Sequence, residues 1–145
     1  LALALALPLA AAADPVTAGD LVIEEPWARA SIGTERPGVA YLAIRNEGES
    51  ADTLTAVETP VAAMPELHRT EMTGGTMSMA PAGPITIPPG ETVRLEPGGL
   101  HAMLMKLTEP LEEGKTLPLT LVFEQAGRVE ITVPILGIGA RGPDG

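Results

Sequence analysis

Turn-forming residues interrupt this chain so often that it fits a long-helix fold badly. Its 145 residues include 16 Gly and 15 Pro, with short β-prone runs between them. Residues 21–25, 39–45, 53–57, 66–70, 92–95, 101–107, 117–123 and 129–134 read as strands. Asn46-Glu47-Gly48, Pro88-Pro89-Gly90, Glu96-Pro97-Gly98-Gly99, Glu112-Glu113-Gly114 and Gln125-Ala126-Gly127 read as the turns that separate them. Strands at this spacing predict an all-β chain with one domain, an antiparallel sandwich or small barrel. A hydrophobic content of 45% argues against disorder.

The two ends are expected to differ from this body. Residues 1–13, LALALALPLAAAA, are apolar and uncharged, shorter than the roughly 20 residues a spanning helix needs. They resemble the end of a truncated secretory signal, with Ala11-Ala12-Ala13 as the cleavage site. The mature domain is then expected over residues 14–136, exported to the periplasm, with no stable membrane insertion after cleavage. Cysteine is absent, so no lipid-anchored cysteine is available at that junction. Residues 137–145 are glycine-rich and read as a flexible tail.

Charge and the missing cysteines narrow the function classes. A net charge of −10 argues against nucleic acid as a partner, because phosphate recognition needs a basic face. Without Cys there are no disulfides, zinc–thiolate sites, iron–sulfur clusters or thiolate-bound blue copper. No nucleophile–His–acid arrangement and no phosphate-cradling glycine loop is found, so the chain does not read as an enzyme.

The methionines carry the positive signal. All six Met and both His fall within residues 64–105. Methionine can serve as adaptable core filler, but filler need not cluster with histidine. In His101-Ala102-Met103-Leu104-Met105-Lys106, a strand places His101, Met103 and Met105 on one face, and Ala102, Leu104 and Lys106 on the other. A turn just before His101 predicts a sheet-end position accessible from a loop. His68 lies at another strand end, and Met77-Ser78-Met79 repeats the alternate spacing if extended. Met64, Met72 and Met77 read as packing or surface residues. Imidazoles and thioethers without thiolate form a soft, neutral donor set that suits Cu(I). Calcium and magnesium want clustered oxygens instead.

At these residues the chain closely resembles the PCuAC family of periplasmic copper chaperones. That family's signature is His, ten residues, Met, twenty-one residues, then His-x-Met. Here ten residues separate His68 from Met79, twenty-one separate Met79 from His101, and Met103 follows Ala102. Glu25-Pro26-Trp27-Ala28-Arg29-Ala30 and Tyr41…Asn46 also look like the family's early segments. The resemblance spans about residues 20–136. It implies a cupredoxin-like Greek-key β-sandwich or barrel with a Cu(I) site near its surface, formed by His68, Met79, His101 and Met103. It also implies delivery of copper toward the binuclear centre of cytochrome c oxidase, with an oxidase subunit or a thiol copper chaperone as acceptor. Arg69 stands where some members carry a Met after the first His, and the tail lacks the His/Met-rich extension of others. Two readings stay open beside delivery: a general periplasmic copper-scavenging or tolerance protein, and a metal-free β-sandwich interaction module.

Overall fold

The computed structural model describes residues 14–145, so the expected signal at 1–13 lies outside the described residues. Strands β1 (Val16–Ala18), β2 (Leu21–Arg29), β3 (Gly38–Asn46) and β4 (Asp52–Glu58) come first. They are followed by β5 (Ala62–Thr73), β6 (Thr76–Pro81), β7 (Ile85–Ile87) and β8 (Thr92–Leu95). The chain ends with β9 (Leu100–Leu107), β10 (Thr116–Phe123) and β11 (Gly127–Leu136). The fold is all-β. Every run read as a strand from the sequence is one, and β1, β6 and β7 are additional.

The hydrogen-bonded order is β6-β5-β9-β8-β3-β2-β11-β10-β4-β7, with β1 beside β2 and a further β9–β3 pairing. Among the described residues, only β11–β2 and β8–β9 pair in parallel. One buried cluster joins both halves of this order: Ile44, Ala102 and Leu104 from one half, Leu54, Leu119 and Val133 from the other. The sheet therefore wraps around one main core, and β4 also packs beside β5. Burial on β10 alternates residue by residue as a result. Leu117, Leu119, Leu121 and Phe123 point into the core, while Thr116 and Pro118 are exposed.

The two family-like segments outside the His/Met region hold the fold together. Glu25, at φ 51°, and Pro26 form a bulge that shifts the β2–β3 register between Glu24 and Trp27. The extra residue sets Trp27 opposite Tyr41, with ring centroids 4.6 Å apart. Arg29 lies over both rings, and its Nε donates to the carbonyl of Ala140 at 2.7 Å. The segment after β11, expected to be loose, is thus packed at Ala140 against Trp27 and Tyr41. Asn46 is buried and uses both ends of its amide. Its Nδ2 donates to the carbonyls of Ser50 and Ile87, and its Oδ1 accepts from the Gly48 amide. One side chain thereby ties the end of β3 to the turn after it and to β7.

Candidate metal centre

The ladders β5–β9 and β5–β6 place every Met and both His on one face. Directly opposed residues of antiparallel strands share a face. Across β5–β9 the opposed pairs are Met64 with Met105, Glu66 with Met103, and His68 with His101. Across β5–β6 they are His68 with Pro81, Thr70 with Met79, and Met72 with Met77. The opposite face carries Leu67, Ala102 and Leu104 into the core. The alternation read from residues 101–105 therefore holds. It fails at Lys106, which was expected to share the core-facing side. Lys106 takes φ 55° and is exposed, and this break in alternation returns Leu107 to a buried position.

The two histidines are the buried members of the face. His101 is 3% exposed and His68 is 9%. His101 does stand near the start of β9, but burial replaces the expected access from a loop. Their ring centroids are 6.1 Å apart.

Each ring has one nitrogen held and one free. His68 Nε2 lies 2.9 Å from a Glu66 carboxylate oxygen. His101 Nδ1 lies 3.1 Å from the carbonyl oxygen of Gly99. A carbonyl and an ionised carboxylate only accept, so both held nitrogens carry the proton. The lone pairs then sit on His68 Nδ1 and His101 Nε2. Those two atoms are buried with no hydrogen-bond partner. Holding one nitrogen so that the other is fixed as a base is how proteins orient histidine toward a metal. Burial also pushes the His101 imidazole below its ordinary pKa, an effect to which His68 adds and which the Gly99 carbonyl opposes. A neutral imidazole is the form that can ligate a metal.

Glu66 and the Gly99 carbonyl were not singled out from the sequence. The signal for Glu66 was present: two residues before His68 on a strand means the same face. Gly99 is set by its turn. Gly98 adopts φ 85°, the Gly99 amide donates to Glu96, and the Gly99 carbonyl also accepts from the Thr70 amide.

The candidate thioethers are unequally placed. Met103 lies two residues from His101 on the same strand and diagonal to His68. Met79 is diagonal to His68 from the other side, on edge strand β6, and is 58% exposed. Met103 and Met79 therefore flank the histidine rung on opposite sides. Among the described residues, no group of three or more His, Cys, Asp or Glu could hold a metal. Any ion bound here would rely on thioether sulfur beside the two imidazoles.

The chain is similar to known proteins in family, in sequence and in fold. The family described as "Putative lipoprotein LpqE-like" matches residues 21–135. A relative from Leifsonia xyli subsp. xyli, "Putative lipoprotein Lxx21020", is 31% identical over 131 residues, covering 89% of this chain and 77% of its own. The solved apo PCuAC domain of PmoF1 is 31% identical with TM-score 0.73, covering 86% of this chain and 99% of that one. The copper-bound PCuAC domain of PmoF2 is 27% identical with the same TM-score, 0.73, covering 86% and 98%. With its strands, its histidine rung and these matches, the chain belongs to the LpqE-like family and carries a PCuAC domain.

Proposed function

We propose that this protein is a periplasmic Cu(I) metallochaperone that holds its cargo with His68, Met79, His101 and Met103. One observation carries the reading: two buried imidazoles oppose each other on one rung, each with one ring nitrogen held and the other unpartnered. A buried acceptor without a partner costs about 1–3 kcal/mol, and a bound cation would satisfy both lone pairs at once. The similarity to a copper-bound PCuAC domain supports copper as that cation. Soft thioethers on the same face favour Cu(I) over harder metals.

The donor set also suits release. Imidazole and thioether are neutral, so the bound centre keeps a single positive charge. Met79 is on an edge strand and mostly exposed, so its flexible side chain can detach first. A partner offering thiolate, a stronger donor for Cu(I), then enters the vacated position and draws the ion across by stepwise exchange. The acceptor in this reading is an oxidase subunit or a thiol copper chaperone, and the destination is the binuclear copper centre of cytochrome c oxidase.

Anaerobic titration against a chromogenic Cu(I) chelator tests the site. One tightly held Cu(I) per chain is expected, strongly weakened by Met103→Leu. Absence of binding would overturn the proposal. Transfer is tested separately by mixing the loaded protein with a reduced thiolate acceptor and following the loss of its copper.

A further inference from the structure

Three methionines stand outside any packing role at the end of the same face. Met72, Met77 and Met79 are 67%, 64% and 58% exposed. Met72 and Met77 oppose each other directly, and Met79 lies two residues further along β6 toward the histidine rung. Cβ atoms of a directly opposed pair are about 4.5–5.5 Å apart, and diagonal neighbours are about 7–8 Å apart. Three long, flexible thioethers can therefore converge above this hairpin. Single exposed apolar residues are ordinary, but three soft donors grouped on the β5–β6 hairpin, two of them on edge strand β6, form a distinct patch.

We propose that Met72, Met77 and Met79 form an entry site for Cu(I), sharing Met79 with the histidine site. The proposal rests on the histidine-site reading. Met79 is adjacent on one side to the Met72–Met77 rung and on the other to the His68 rung. An ion captured by the three exposed sulfurs can stay bound to Met79 while Met72 and Met77 are exchanged for His68 and then His101. No redox step is involved, because Cu(I) enters and leaves the hairpin unchanged. The direction follows from exposure. Met64 is 40% exposed and its rung partner Met105 only half-buried, whereas the hairpin methionines are open at the sheet edge.

Anaerobic stopped-flow loading from the Cu(I)–bicinchoninate complex tests this in the full chain. The double variant Met72→Leu/Met77→Leu keeps shape and apolarity on an exposed surface while removing two sulfurs. Slower loading and slower release, changed by the same factor, are expected, with equilibrium affinity within about twofold of the parent because the final site is intact. Met64→Leu/Met105→Leu is the matched control and should load at the parental rate. Parental rates in the hairpin variant would overturn the proposal, as would equal slowing in the control. A large loss of equilibrium affinity would overturn it too, by making the hairpin part of the final site.

Nuclear magnetic resonance of the same titration separates the two readings. Cu(I)-induced shifts of the Met72, Met77 and Met79 methyl groups report the entry site, and shifts of the His68 and His101 rings report the histidine site. In the His68→Leu/His101→Leu variant, where the ion can rest only on the hairpin, unshifted Met72 and Met77 methyls would sink the entry site. Shifted methyls with unshifted rings would sink the histidine site and leave hairpin capture standing.

Discussion

His68 and His101 oppose each other across one rung of the β5–β9 ladder, and each keeps one buried ring nitrogen without a partner. Unpaired buried acceptors cost stability. The metal-free fold therefore carries a local deficit at the point where the proposed function needs free lone pairs.

Replacing His101 exposes that deficit. His101→Leu fills a comparable volume and removes an unpartnered nitrogen. The Gly99 carbonyl keeps its bond from the Thr70 amide. Stability of the metal-free protein is expected to be unchanged within about 1 kcal/mol, or raised. Cu(I) affinity should fall by at least about tenfold, roughly 1.4 kcal/mol. Thermal unfolding of the metal-free variant, run beside a chelator competition, reads both. Strong destabilisation together with parental affinity would show that His101 serves packing alone.

The register ranks the two thioethers. Met103 neighbours both histidines, whereas Met79 neighbours only His68 and lies two strands from His101. Met103→Leu is expected to weaken Cu(I) binding more than Met79→Leu, by about an order of magnitude against a few-fold. Neither swap should cost more than about 1.5 kcal/mol of folding stability, since both conserve volume. The reverse ranking in competition titrations would contradict the ladder geometry as the guide to the site.

Glu66 acts as a positioning residue for His68. Its carboxylate fixes the Nε2 proton and leaves Nδ1 basic. Glu66→Ala should lower Cu(I) affinity about 10–100-fold, the usual effect of losing such a partner. Glu66→Gln keeps an acceptor oxygen and should recover most of that loss. A similar loss in both variants would assign the effect to charge rather than to ring orientation.

The lowered pKa of His101 sets a pH dependence. Burial is its main cause. Because the folded value lies below the unfolded one, near 6.5, the unfolded chain binds more protons just below that pH. Stability of the metal-free protein should therefore fall as pH drops below about 6.5, and level off below the folded pKa. Proton competition with Cu(I) at His101 should begin correspondingly lower than for an ordinary histidine. Denaturant titrations of the parent and of His101→Leu check this between neutral pH and the carboxylate range. Equal slopes in the two proteins would contradict it.

Asn46 provides a contrast away from the site. Asn46→Ala leaves the Ile87 and Ser50 carbonyls without their side-chain donor. A cost of about 1–3 kcal/mol is expected, with Cu(I) affinity unchanged in the folded fraction. Denaturant midpoints and the chelator competition distinguish this from a role at the site.

Much of the fold was legible in the sequence because turn residues and β-prone runs are local signals. β6 was not, since Thr76–Pro81 is largely exposed, without a buried apolar row to mark it. β1 and β7 are three residues each, too short for a period to register. The shared face of His101, Met103 and Met105 followed from alternation alone. Alternation names a face but not what covers it, so the burial of His101 could not be foreseen. Likewise, the pairing of Trp27 with Tyr41 depends on a one-residue bulge that only the register reveals. The roles of Glu66 and Gly99 depend on which strand faces which, and that is a long-range outcome.

The most direct test of the histidine rung is X-ray absorption on the protein carrying one equivalent of Cu(I) under anaerobic conditions. Mixed coordination is predicted, with two imidazole nitrogens together with thioether sulfur. A sulfur-only first shell, or no bound Cu(I) at all, would contradict the account, because the unpartnered nitrogens of His68 and His101 would then serve no metal.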